Sequence, residues 1–323
     1  MDLNILLALQ DFRNSAGSFL TDFFKAMTFL GELNTVLLVM AVVYWCLSKE
    51  IGTYLFMGWS GNRLVNGVLK VSACAYRPWI REPAIEPPAS VKATATGYSF
   101  PSGHSANAAS AYGGTVFRRE LPRWLKIIMG VLVALVMLSR CFLGVHTPQD
   151  VLVGAGMGLL VMFITREVLV WLADHPEKDV VIMDIGLFLG LIIAVYAGLK
   201  AYPAKYDDAG KLLVDGAKMA NDTFKGVGWC AGFLVSWVME RHFVGFRTAG
   251  IPLSYRLIRL VLGVAGYFAV SDLLVPQIKA WIPGAPGNLY ACFLQMVCLI
   301  LILPWIMKAL EGWITRKTKE RKA

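Results

Sequence analysis

Long apolar blocks separated by short polar connectors dominate the chain. They fall at about 34–48, 51–71, 103–118, 124–142, 149–171, 180–200, 224–240, 256–274 and 289–310. Each is close to the roughly 20 residues a helix needs to cross a hydrocarbon layer. The pattern predicts an all-α, polytopic transmembrane helix bundle of about nine spans, each satisfying its own backbone hydrogen bonds. The short alternating segments of a transmembrane β-barrel do not occur. The third block, Ser102–Phe117, is rich in Ser, Ala, Gly and Asn. It is expected among neighbouring helices, where small residues permit close approach. Ahead of the first block, residues 3–30 mix apolar positions with Asp11, Arg13, Asn14, Asp22 and Lys25. That predicts one or two amphipathic helices at the membrane interface. Met1–Gln10 lacks a basic n-region, so no cleavable signal peptide is expected.

Composition supports a membrane bundle over a soluble domain. The chain is 57% hydrophobic and 16% charged, where soluble domains carry about a quarter charged residues. Mean hydropathy is +0.58. The net charge of +9 is not gathered on a soluble face, so no nucleic-acid partner is expected. It concentrates in Arg118, Arg119, Arg123 and Lys126, in Arg241, Arg247, Arg256 and Arg259, and in the tail from Lys308 to Lys322. With nine spans, these clusters and Lys49 share one side, which the positive-inside rule makes the cytoplasm. The N-terminus and the loops at 72–102, 139–149, 201–223 and 275–288 then face outward. His175 and His242 fall on the cytoplasmic side as bystanders. Six cysteines (46, 74, 141, 230, 292, 298) show no metal spacing and read as small apolar core residues. Cys74 and Cys141 both neighbour polar stretches, which leaves a pairing between them open.

Three polar stretches share the outward side. The first, Ser139 to Asp150, places Arg140, His146 and Asp150 between two apolar runs. Thr147-Pro148-Gln149-Asp150 reads as a helix start: Thr147 caps, Pro148 suits the first position, and Asp150 suits the positive end of the dipole. Asp150 then folds back toward the His146 ring. An imidazole held by a carboxylate beside an arginine is the layout of a nucleophile for phosphate. The second stretch, Lys70 to Pro78, sets Lys70 and Arg77 seven residues apart, two helical turns on one face. The third, Tyr98 to Ser105, offers Ser102 as a cap, Gly103 for close backbone approach, and His104 at a helix start whose free amides bind anions. Each cation alone would also serve as an interfacial anchor. Asn62, Arg63 and Asn66 are polar within the second block; Asn66, one turn before Lys70, is placed to orient it. The segment 79–97, with Arg81, Glu82, Glu86 and three prolines, reads either as a lid over a headgroup or as a solvated connector.

Together, Lys-x6-Arg-Pro, Pro-Ser-Gly-His and Ser-Arg-x5-His-x3-Asp resemble the three-part signature of the type 2 phosphatidic acid phosphatase superfamily, over roughly residues 50–172. That superfamily includes lipid phosphate phosphatases, undecaprenyl pyrophosphate phosphatases and glucose-6-phosphatase. The resemblance implies a six-span phosphatase core within 33–200, after an amphipathic segment 1–32. Additional spans at 201–310 and a basic cytoplasmic tail at 311–323 would follow. It also implies His146 as nucleophile through a phosphohistidine, Asp150 as its orienting carboxylate and His104 as acid and base. Lys70, Arg77, Ser102, Gly103 and Arg140 would hold phosphoryl oxygens, with Asn66 and Ser139 in support. No metal or cofactor is implied. The expected substrate is a lipid phosphate or pyrophosphate, undecaprenyl pyrophosphate or phosphatidic-acid-like, met at the extracytoplasmic face of a bacterial cell membrane. Hydrolysis of a soluble ester, suggested by the nine-span layout, and phosphate transfer to a second lipid are the enzymatic alternatives. A membrane scaffold or transporter that retains the fold is the non-enzymatic one. The resemblance does not extend to the oligomeric state.

Overall fold

The computed structural model describes residues 2–210 and 212–320, with the side chain of Lys319 left out; Arg321 and Lys322 of the expected basic tail lie outside the described residues. The described residues form helices and no strand, apart from one isolated bridge between Tyr206 and Leu212. In order these are α1 (Asp2–Ser15), α2 (Ser18–Phe29), α3 (Leu33–Val42, extended by a π turn to Leu47) and α4 (Lys49–Ala73). Two short helices follow, α5 (Pro78–Arg81) and α6 (Ala89–Thr94), then α7 (Gly103–Ala111) with a 3-10 turn at Gly113–Phe117. Next come α8 (Arg123–Phe142), α9 (Pro148–Asp174), α10 (Asp179–Leu199) and α11 (Gly216–Met239). The chain continues with α12 (Leu253–Phe268), α13 (Val275–Trp281), α14 (Gly284–Val297) and α15 (Leu303–Glu320). π turns at Ala269–Leu274 and Cys298–Ile302 join the last four into two long units.

Among the described residues, five helical units are long and apolar enough to cross a membrane: 123–142, 148–174, 176–199, 253–281 and 284–318. The pair α2 and α3, bent by 53°, would make a sixth. The protein is therefore an integral membrane helix bundle. The count of nine is not reached, for two physical reasons. α7 has nine residues and rises about 14 Å, under half a hydrocarbon layer of about 30 Å. α4 and α11 are long enough, at 25 and 24 residues, but carry polar side chains along their length.

Large apolar side chains on α8, α9 and α10, such as Ile127, Phe163, Phe188 and Leu191, are exposed, as on a lipid-facing surface. The interior is built on aromatic side chains, and three buried tryptophans place their indole N–H on acceptors. Trp45 Nε1 donates to the Leu299 carbonyl at 2.9 Å, Trp59 Nε1 to Asn107 Oδ1 at 3.1 Å, and Trp229 Nε1 to Gln295 Oε1 at 2.8 Å.

Two pairs of glycines four residues apart let helix backbones approach closely. A Cβ at Gly154 of α9 would stand 2.5 Å from the Ser102 carbonyl oxygen, and one at Gly158 would stand 2.9 Å from Ala109 Cβ. α9 thus lies directly on the small-residue helix α7. Gly228 and Gly232 of α11 likewise admit the backbone of α14 at Leu289 and Phe293. Through α11 the C-terminal helices pack on α4, and so join the core that carries the polar motifs.

The N-terminal segment is two helices, and both fold onto the core. Leu6 of α1 is buried with Ile85, Cys141 and Val151, and Phe24 of α2 with Val91, Phe142 and Val145. Cys74 and Cys141 are separate free thiols.

Candidate active site

The stretch from Ser139 to Asp150 turns sharply between α8 and α9. The Arg140 carbonyl accepts from both Val145 N and His146 N, at 3.1 and 3.3 Å. Gly144 permits the turn with φ +71°, in the left-handed region. α9 then begins with a reciprocal cap: Asp150 N donates to Thr147 Oγ1 at 3.3 Å and Thr147 N to Asp150 Oδ2 at 2.9 Å. The cap pins the carboxylate beside His146, whose Nδ1 lies 3.4 Å from Asp150 Oδ2. Ser99 Oγ also donates to Asp150 Oδ2, at 2.5 Å.

Arg77 approaches the imidazole from the other side. Its Nη1 lies 2.9 Å from His146 Nε2 and also donates to the Val145 carbonyl at 3.0 Å. Its Nε donates to the Gly97 carbonyl at 3.0 Å. A guanidinium can only donate, so Nε2 is the acceptor and the ring proton sits on Nδ1, facing Asp150. His146 and Arg77 are both buried. Burial, reinforced by the Arg77 cation, holds the His146 imidazole well below its usual pKa despite Asp150. Burial lowers Arg77 to about 10, so it stays charged at neutral pH. The arrangement is a neutral imidazole whose Nε2 lone pair accepts from a fixed cation.

The remaining candidates differ in what they touch. Lys70 Nζ donates to the carbonyls of Tyr98, Ser99 and Pro101 at 3.0, 3.4 and 2.8 Å. It staples the loop that presents Ser99. Ser102 caps α7 by accepting from Ser105 N at 3.3 Å, and its own amide donates to the Asp150 carbonyl at 2.9 Å. Gly103 opens α7, and a Cβ there would meet Arg63 Nη1 at 4.0 Å. His104 and Arg140 line one cavity of about 190 Å3, together with Lys25, Thr28 and Glu32 of the N-terminal segment and Ser90, Val91 and Thr94 of α6. The segment 79–97 thus covers one side of this cavity through α6, with Ile85, Pro87, Val91 and Ala95 buried, while Arg81, Glu86 and Lys92 face solvent.

Asn66 does not orient Lys70: its Nδ2 is buried without a hydrogen-bond partner, and no hydrogen bond joins the two residues. The cause is direction, since Lys70 reaches forward to the 98–101 loop while Asn66 lies a turn below. Ser139 Oγ donates to the Val136 carbonyl at 2.6 Å and lies 3.0 Å from Thr28 Oγ1, whose own proton can point to it. Among the described residues no group of three or more His, Cys, Asp or Glu comes together as a metal cluster.

Three residues of the site carry no sequence signal. Ser99 sits inside a quoted motif but at no capping or helical spacing. Thr28 Oγ1 accepts from Arg140 Nη1 at 2.7 Å, across 112 residues of chain. Arg13 Nη1 donates to the Phe142 carbonyl at 3.1 Å and Nη2 to the Glu86 carbonyl at 2.6 Å, tying the cover to the turn. α11 reaches the same loop, where Lys218 Nζ donates to Thr96 Oγ1.

Residues 32–174 match the family model of the PAP2 superfamily. Phosphatidylglycerophosphatase B of Bacillus subtilis (strain 168) is 35% identical over 123 residues, which are 36% of this chain and 56% of that protein. The chain thus spans little more than half the length of that curated relative. Two solved structures are similar. LpxE of Aquifex aeolicus is 25% identical with a TM-score of 0.45, over 51% of this chain and 94% of that one. The PAP2 type phosphatidylglycerolphosphate phosphatase of Bacillus subtilis is 29% identical with a TM-score of 0.42, over 52% of this chain and 83% of that one.

Proposed function

Residues 32–174 being a segment of the PAP2 superfamily, we propose that the protein is an integral-membrane phosphatase. Its substrate is a lipid bearing a phosphate monoester or diphosphate, hydrolysed at the extracytoplasmic face of a bacterial membrane. The observation that carries this reading is the His146 ring, with Nδ1–H toward Asp150 and Nε2 accepting from Arg77 Nη1 at 2.9 Å, a donor that turns to the phosphoryl oxygens when substrate enters and so releases the Nε2 lone pair. Nε2 attacks phosphorus, the bond to the leaving oxygen breaks, and a phosphohistidine forms. Asp150 stabilises the ring as it becomes cationic. His104 protonates the leaving oxygen, then takes a proton from the water that releases phosphate, a role worth roughly 10²–10⁴-fold. Arg77 and Arg140, with the amide of Gly103, neutralise the charge that spreads over the phosphoryl oxygens. Lys70 and Ser102 hold the loop and helix that present these groups.

A lipid substrate is favoured because the cavity shared by His104 and Arg140 lies at the end of membrane helix α8, where its polar lining suits a charged headgroup whose tail stays in lipid. Phosphatidylglycerol phosphate, the substrate named for the bacterial relatives, joins undecaprenyl pyrophosphate and phosphatidic acid as candidates. The excess of Lys and Arg at the opposite end supports the extracytoplasmic placement. The phosphatase core occupies 33–200, and the helices of 201–310 are an addition to it. The test is phosphate release by purified protein in detergent with EDTA, over these lipids and glucose 6-phosphate, with His146→Ala as control. Turnover of a lipid that is lost in His146→Ala supports the reading. Preference for glucose 6-phosphate would replace the lipid with a soluble ester, and a strict need for added magnesium would overturn the metal-free mechanism.

A further inference from the structure

A second cavity, of about 1010 Å3, lies at the other end of the bundle. Along α9, Arg166 in its wall is 16 residues and about 24 Å beyond Asp150; along α4, Lys49 is 21 residues and about 31 Å from Lys70. The two sites are therefore separated by about one hydrocarbon thickness. Six cations line it: Lys49, Arg118, Arg166, Arg241, Arg247 and Arg256. The first three come from the segment that matches the PAP2 model and the last three from the chain beyond it, so the space exists only because the C-terminal helices pack on the core.

Carboxylates oppose part of this charge. Glu50 is in the wall; Glu240 pairs with Lys49 at 2.5 Å, Asp179 with Arg241 at 3.4 Å, Glu120 with Arg118 and Glu167 with Arg166. Glu120 and Glu167 are about half exposed, where an ion pair is worth about 0–1 kcal/mol and gives way easily. Among the described residues Arg247 and Arg256 have no carboxylate partner; Arg256 Nε donates to the Ile251 carbonyl, at 3.2 Å. Leu169, Val170, Trp237 and Phe246 supply apolar wall between the cations. The tendency of basic residues to collect on the cytoplasmic side explains cations at this end. It does not explain a concavity that gathers six of them with apolar side chains.

We propose that this cavity is a second, non-catalytic site that seats the phosphate of an anionic phospholipid from the leaflet opposite the phosphatase centre. Arginine guanidiniums match phosphate oxygens in pairs, and the apolar wall lies where the first acyl carbons would run. The proposal does not rest on the phosphatase reading.

The test uses the purified full chain in detergent and native mass spectrometry. The probe is phosphatidylglycerol, whose phosphate is a diester and offers the catalytic centre no monoester. Phosphatidylcholine and inorganic phosphate are the comparison arms. One phosphatidylglycerol should be retained per chain, at least tenfold more tightly than phosphatidylcholine. Arg247→Gln/Arg256→Gln should weaken it at least tenfold. Ala249→Trp, which keeps every charge and fills the mouth, should weaken it similarly, with elution volume and Tm checking that both variants fold. Equal retention by wild type and both folded variants would overturn the site. Equal retention of phosphatidylcholine would overturn the anionic specificity, and binding of inorganic phosphate as tight as that of the lipid would overturn the lipid assignment.

Discussion

Replacing Asp150 by asparagine separates charge from orientation at the proposed nucleophile. A single oxygen, Oδ2, lies 2.9 Å from Thr147 N, 2.5 Å from Ser99 Oγ and 3.4 Å from His146 Nδ1. An asparagine with its carbonyl oxygen in that place keeps the helix cap and the Nδ1–H tautomer. It removes only the negative charge. In the reaction the ring passes from neutral to cationic, so the charge acts mainly on the transition state. A unit pair at 3.4 Å with an effective dielectric of about 20 interacts by about 5 kcal/mol. Part of that is lost to incomplete charge development, so kcat should fall by about 10³-fold. KM should hold within about threefold, because Asp150 contacts the ring and not the phosphate. The loss at the α9 dipole costs the fold about 0.3–1 kcal/mol, too little to unfold it. The assay is steady-state phosphate release under saturating lipid, with Tm measured alongside. A folded Asp150→Asn protein with kcat within tenfold of wild type would refute the reasoning, since the carboxylate would then not be coupled to the attacking ring.

Further outcomes follow from the same geometry. His146 reacts in its neutral form, and burial with Arg77 holds its pKa below the usual value, so kcat/KM should stay level as pH falls to about 6.5 and decline only below it. In Arg77→Gln the repelling cation is gone, so the residual activity should begin to decline at a higher pH; an unmoved acid limb would contradict this. Thr28→Val removes the acceptor of Arg140 Nη1 and should cost about 1–3 kcal/mol of stability and at least tenfold in kcat/KM, whereas Thr28→Ser should restore both. Denaturation and turnover of the pair check this, and equal behaviour of Val and Ser would sink it. Gly154→Ala places a methyl carbon 2.5 Å from the Ser102 carbonyl oxygen, so it should cost about 1–3 kcal/mol and reduce turnover. Gly130→Ala, which meets nothing within 4 Å, should be close to neutral in the same measurements.

What the sequence by itself determined is local. The apolar blocks locate α4, α8, α9 and α10 within a few residues, because a run that must satisfy its backbone bonds in lipid becomes a helix. Thr147, Pro148 and Asp150 mark the start of α9 because a cap needs only residues within one turn. The small-residue stretch at Ser102–Phe117 announces close helix contact, but not that its helix would end at Ala111. What only the tertiary structure decided lies between distant segments. Ser99 meets Asp150 across 51 residues, Thr28 meets Arg140 across 112 and Arg13 meets Phe142 across 129. Such pairs leave no periodicity in the chain, because they depend on which helices pack together. An amphipathic face likewise does not say what it covers, so α1 and α2 read as interfacial helices until they are seen folded over the site. The same reason hides the basic cavity: its cations are spread over 208 positions, from Lys49 to Arg256, and meet only when α11 docks on α4 and α12 on α3 and its π turn.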